Sequence, residues 1–178
     1  MIRIAVIYGL AAGAIITVIN YSTLPIWQDE MNFALGEILG YLGMLVSLVT
    51  VFVGIKSLRD NQLGGFITFK QAFLQGLYIT LVASFIYIVG WESYYTTSGG
   101  DFMEQYSTYM VDEARAEGAS EAEIESKISE MQDMQEMYKI APIRWGMTLM
   151  EIFPVGLIIT LISAFILKRN ETTKRAEI

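Results

Sequence analysis

Four long runs of apolar residues divide the chain: Ile4 to Tyr21, Phe33 to Ile55, Ala72 to about Tyr94, and Ile143 to Leu167. The first follows Arg3 and carries no charge. The second is broken only by Glu37 before Lys56 and Arg59 stop it, and the fourth is closed by Lys168 and Arg169. At the helical rise of about 1.5 Å per residue, about 18 residues span about 27 Å, close to the hydrocarbon thickness of a bilayer. Continuous runs lack the alternation of barrel strands, and an open sheet in lipid leaves backbone groups unpaired. The pattern therefore predicts an all-α fold, a four-helix transmembrane bundle in a single domain over residues 1–178, with spans at 4–21, 33–55, 72–94 and 143–167. A cleaved signal peptide is the competing reading of the first run. Its small residues Ala11, Ala12, Gly13 and Ala14 lie in the middle of the run, where a peptidase does not need them, which favours an uncleaved span.

Between the third and fourth runs lies an acidic block with a pattern of its own. Phe102, Tyr106, Tyr109 and Met110 recur at helical spacing, Gly118 interrupts them, and Ile124, Ile128, Met131, Met134 and Tyr138 form a second stripe. Ser120 stands three residues before Glu123, the spacing of a capping box. The block reads as a helical hairpin over 101–138, outside the membrane. Its stripes have three possible targets: each other, the lipid surface or a partner.

Orientation follows from the basic residues in the connections. Arg3, Lys56, Arg59, Lys70, Lys168, Arg169, Lys174 and Arg175 must share a side, and they are eight of the twelve Lys and Arg in the chain. That side is expected to be cytoplasmic, with both termini, which makes the hairpin extracytoplasmic. The opposite boundary receives Asp29, Glu30 and the tryptophans Trp27, Trp91 and Trp145, whose amphipathic rings suit the headgroup layer.

Composition narrows the chemistry. Apolar residues make up 53% of the chain and charged ones 17%. The net charge of -7 belongs mostly to the acidic block and argues against a nucleic-acid partner, which demands a basic surface. Cys and His are both absent, so thiolate chemistry, disulfides and imidazole ligands are excluded. No catalytic residue set, cofactor fingerprint or metal cluster is legible. The loop Asn61 to Lys70 has paired glycines without the phosphate-loop pattern and reads as a turn into an interfacial helix.

The exceptional residues are those that lipid should exclude. Glu37 lies about one helical turn, and Glu151 about two turns, inside the outer end of its span, and Glu92 sits at the outer edge of the third. Arg144 precedes Glu151 by seven residues, which places both on one helix face. Glu37, Glu92, Arg144 and Glu151 thus form a candidate intramembrane polar cluster. It reads either as a proton or cation site, as intramembrane carboxylates often are, or as a structural pair in which Arg144 bridges one carboxylate. Depth favours Glu92 or Glu37 over Glu151 as the direct partner of Arg144. Gly9 and Gly13, and Gly36 and Gly40, have the G-x-x-x-G spacing that lets helices approach closely in lipid, within the bundle or between copies. Pro154 leaves the Met150 carbonyl without its helical donor and predicts a kink.

Leu63-Gly64-Gly65-Phe66-Ile67-Thr68-Phe69-Lys70, Gly118-Ala119-Ser120-Glu121-Ala122-Glu123-Ile124 and Met150-Glu151-Ile152-Phe153-Pro154-Val155-Gly156-Leu157, taken together, resemble the bacterial family of short multi-span membrane proteins filed as domain of unknown function 4199. The resemblance covers nearly the whole chain and implies a bacterial inner-membrane location. It carries over no activity, ligand or catalytic residue.

The residues support two main expectations. One is a non-enzymatic membrane protein that scaffolds or modulates a partner through its outer hairpin. The other is a small oligomeric proton-coupled transporter or channel with Glu37 and Glu151 in its path. An intramembrane enzyme ranks third, because carboxylates alone can serve acid and base work but no nucleophile accompanies them. The expected partners are the bilayer and a protein, either a different chain or a second copy.

Overall fold

The computed structural model describes residues 1–28, 31–97 and 100–169. Among them the chain forms six helices: α1 Ile2–Gln28, α2 Phe33–Gln62, α3 Phe69–Thr97, α4 Phe102–Ala116, α5 Glu121–Tyr138 and α6 Ala141–Leu167. The helices α1, α2, α3 and α6 are each long and apolar enough to cross a membrane. They have 27 to 30 residues, or about 40 Å at the helical rise, so each extends past the hydrocarbon. Asp29, Glu30, Lys174 and Arg175, which enter the charge reading of the sequence, lie outside the described residues.

The transmembrane helices are longer than their apolar runs for local reasons. Lys56, Arg59 and Gln62 are good helix formers, so α2 continues into the polar layer after its apolar residues end. α1 continues past Tyr21 and through Pro25, and α6 runs on through Pro154. The glycine loop does not lead into a separate interfacial helix. Gly64 and Gly65 take positive φ values of 64° and 91°, and the chain then enters α3 directly. Thr68 and Gln71 form the start signal: the Thr68 amide donates to Gln71 Oε1 at 3.0 Å, and the Gln71 amide donates to Thr68 Oγ1 at 3.3 Å.

Two cross-links close the basic end of the bundle. Ile67 and Arg169 exchange backbone hydrogen bonds of 3.0 and 2.9 Å, tying the α2–α3 loop to the end of α6. The Met1 amino group lies 3.5 Å from Gln62 Oε1. Lys56, Arg59, Lys70 and Lys168 therefore belong to one end of the bundle and the hairpin to the other.

In the bundle α1 packs on α2 and α3, α6 packs on α3 and α2, and α2 and α3 also meet across the middle. Ile16, Met44, Leu48, Val51, Ile55, Ile79 and Ile152 are fully buried there. Small residues set how closely the axes approach. Gly9 and Gly13 face α3, where an added Cβ would meet the side chains of Val82 and Ile86. Gly76 and Gly156 admit Thr160 and Thr80 in the same way, and those two hydroxyls share a hydrogen bond of 3.1 Å. Such contacts replace the hydrophobic drive that lipid does not supply. Val46, Phe85, Met150, Phe165 and Ile166 are more than half exposed on the outside, as lipid-facing side chains should be.

Gly36 packs against the Trp27 ring of α1, but Gly40 does not continue the expected packing pair, because a Cβ there would meet nothing within 4 Å. Gly40 borders an open space, described next.

Candidate functional site

At the end away from the loop cross-links, the four transmembrane helices border a partly open chamber of about 600 Å³ roofed by α4. Its deepest lining residue on each helix is Thr17 of α1, Tyr41 of α2, Tyr87 of α3 and Glu151 of α6. Glu151 is about 15 Å down the helix from Ala141 at the helical rise, which takes the chamber about two turns below the start of the apolar run at Ile143. Below it the buried aliphatic core begins with Ile152 and Met44.

The roof explains the aromatic stripe of α4. Phe102, Tyr106, Tyr109 and Met110 line the chamber, while Met103 and Val111 are buried with Met131 in the body of the hairpin. The first stripe therefore faces the bundle rather than only its sister helix. Phe33 anchors it: this buried ring lies 5.9 Å from Phe102, 5.5 Å from Tyr106 and 5.3 Å from Tyr109, centroid to centroid. The hairpin turns at Gly118, whose φ of 83° suits glycine. Ser120 and Glu123 then form both halves of the capping box that starts α5.

A polar latch holds the other end of the hairpin. The Arg144 guanidinium donates to Glu92 from Nε at 2.8 Å and from Nη2 at 2.7 Å. Its Nη1 donates at 2.6 Å to the carbonyl of Tyr138, the last residue of α5, and its Cζ stands 4.0 Å from the centroid of the Tyr95 ring. Trp145 Nε1 adds a bond of 3.0 Å to the same carboxylate. Three helices and one cation thus share a single neutralised cluster. From the residue beside Glu92 on α3, Trp91 Nε1 donates to the Tyr138 hydroxyl. Burial pushes that hydroxyl well above the ordinary tyrosine range, so Tyr138 stays neutral.

The structure thus divides the four polar residues singled out in the sequence. Arg144 and Glu92 meet; Glu37 and Glu151 do not join them and line the chamber instead. The Tyr87 hydroxyl donates to Glu151 Oε2 at 3.2 Å, whereas Glu37 has no hydrogen-bond or ion-pair partner among the described residues. Glu113 of α4 supplies a third lining carboxylate and accepts from Tyr109 at 3.2 Å. Burial, and after it the Glu37 charge, raises the Tyr106 hydroxyl above its ordinary range, which ties the roof electrically to the α2 wall. The chamber is not sealed, since Glu37, Tyr41 and Glu151 remain exposed.

Sequence reasoning missed Tyr87 and Glu113, and read Tyr138 only as a member of the second hairpin stripe. Tyr87 carried the only available signal, a hydroxyl inside a transmembrane run that needs a partner. Glu113 was hidden among the many acidic residues of the hairpin.

The fold and its chamber define a class: an integral membrane bundle of four long helices with a helical hairpin folded over one open end. The chain belongs to the family described as protein of unknown function (DUF4199), whose model matches residues 5–169. No curated protein and no solved structure matches it.

Proposed function

We propose that this protein is a non-enzymatic ligand-binding protein of the bacterial inner membrane, which takes a small molecule into the chamber beneath α4 and signals occupancy to a partner through the hairpin. The observation that carries this reading is the chamber itself. Its volume lies within the range of about 300 to 1,000 Å³ common to small-molecule sites, and it combines apolar walls with a few convergent polar groups. The roof is part of the wall, so a bound molecule touches α4 directly, and any shift of α4 is carried to the outer surface with α5. In this reading the basic end and both termini are cytoplasmic, and the hairpin is extracytoplasmic.

The lining also favours a second reading, a carrier. Glu37 and Glu151 face one chamber from two helices, an arrangement suited to coupling a proton to a ligand. Transport would require the buried layer of Met44, Leu48, Val51 and Ile152 to open toward the other side.

The test is thermal stability of the protein in lipid nanodiscs against a panel of cationic, neutral and anionic amphiphiles, for the native chain and for Gly40→Trp. Position 40 lines the chamber and has open space, so a tryptophan there obstructs part of the chamber without its Cβ meeting the helix packing. Stabilisation of the native chain by some member, lost in Gly40→Trp, supports binding. No stabilisation by any class, or equal stabilisation of both chains, contradicts it. Flux of the stabilising member into liposomes would favour the carrier.

A further inference from the structure

The proposed binding reading leaves the ligand unassigned, and the chamber's charge and rings narrow it. Glu37, Glu113 and Glu151 line it, and no Lys or Arg does among the described residues. The nearest buried cation, Arg144, is committed to Glu92 and to the Tyr138 carbonyl and so does not neutralise the lining. A chamber lined by three carboxylates and by no basic side chain among the described residues attracts a cation and rejects an anion. Much of the rest of the lining is aromatic, and such rings attract cations across their faces.

The kind of cation follows from the same walls. Among the described residues no group of three or more carboxylates is gathered closely enough to hold a metal ion. Glu113 lies on the roof, Glu37 on α2 and Glu151 on α6, spread around the space. A metal needs several oxygens within about 2 to 2.6 Å. A diffuse organic charge needs only carboxylates around its perimeter and rings against its apolar groups. Resting on the binding reading above, we infer that the chamber selects a lipophilic organic monocation, an ammonium or phosphonium centre with apolar substituents. Such a centre reaches the chamber as a soluble compound or as the headgroup of a lipid.

The probe is tetraphenylphosphonium, titrated by equilibrium dialysis onto the full chain in dodecyl maltoside, beside tetraphenylborate of similar shape and opposite charge and neutral triphenylphosphine oxide. The phosphonium is expected to bind at least tenfold more tightly than the oxide, and the borate more weakly still. The double variant Glu37→Gln, Glu151→Gln should lower phosphonium affinity at least tenfold while leaving the oxide's unchanged, which also shows that the variant is folded. Equal affinity for the three probes, or a double variant that binds phosphonium as the native chain does, overturns the inference and leaves the binding reading standing. Failure of all three probes to bind overturns both. Added phosphatidylcholine separates the sources. Competition with the phosphonium assigns the cation to a lipid headgroup, and its absence assigns it to a soluble compound; either result upholds the selectivity.

Discussion

Glu92 grips the Arg144 guanidinium through two hydrogen bonds of 2.8 and 2.7 Å, joining the hairpin end of α3 to the start of α6. The Arg144 side chain is only 4% exposed and that of Glu92 24%, so the pair sits at the edge of the buried interior. Arg144 also holds the Tyr138 carbonyl, so this pair fixes where the hairpin re-enters the bundle.

Removing either partner should therefore destabilise the fold, and the two losses should not add. Arg144→Gln is expected to cost about 1.5 to 3 kcal/mol, the range for hydrogen bonds to charged groups. The Arg144→Gln, Glu92→Gln pair should show a coupling of at least about 1 kcal/mol in detergent melting. Arg144→Lys should rescue little, because an ammonium cannot reproduce the paired fork. Additive losses would mean that the two residues act independently.

The glycines separate packing from open space. A Cβ at Gly13 would press on the Ile86 side chain and lie 3.2 Å from the Ala83 carbonyl oxygen, whereas one at Gly40 meets nothing. Gly13→Leu should destabilise by about 1 to 3 kcal/mol through overpacking. Gly40→Ala should be neutral or stabilising by up to about 1 kcal/mol, from helix propensity. Thermal melting of both variants in one detergent decides it, and equal losses would contradict the assigned α1–α3 contact.

The capping box makes the start of α5 sensitive to acid. The Ser120 backbone N–H, and then its hydroxyl, hold the Glu123 carboxyl below the usual glutamate range. A depressed folded-state value means that the stabilisation is complete above the ordinary range, about 4.3, and is lost as pH falls through the lower folded-state value. The protection of amides across Glu121 to Glu130, taken relative to the intrinsic exchange rate at each pH, should thus be equal at neutral and mildly acidic pH and should fall only in stronger acid. Ser120→Ala should lower it at every pH. An unchanged profile in Ser120→Ala would remove the cap from the account.

Much of the fold is legible in the sequence because lipid imposes a simple demand: long charge-free runs must be helices, and acidic, capped, amphipathic segments between them must lie outside. The helix ends are less legible. α1 runs through Pro25, and α3 starts at Phe69 because Thr68 and Gln71 cap it, where the apolar runs alone suggest other limits. Depth made Glu92 and Glu37 equal candidates for Arg144, and depth alone cannot separate them. At that height α6 lies against α3, while the chamber stands between α6 and the Glu37 wall of α2. A cavity leaves no periodic mark, since its lining comes from all six helices and its rings look like interfacial aromatics.

The placement of basic residues predicts sidedness. In intact cells a cysteine at Asn61, in the otherwise cysteine-free chain, should escape an impermeant thiol reagent, and one at Ser126 on α5 should react. Reaction of both from the same side would contradict the proposed orientation.

The most direct measurement of the central claim is to locate a bound molecule. A triphenylphosphonium bearing a diazirine, photolysed on the native chain in nanodiscs and mapped by peptide mass spectrometry, is predicted to mark chamber residues such as Trp91, Tyr106 and Met147, with the adducts suppressed by excess tetraphenylphosphonium. Adducts confined to lipid-facing side chains such as Phe85 and Phe165, unaffected by that competitor, would contradict the claim that the chamber is a binding site.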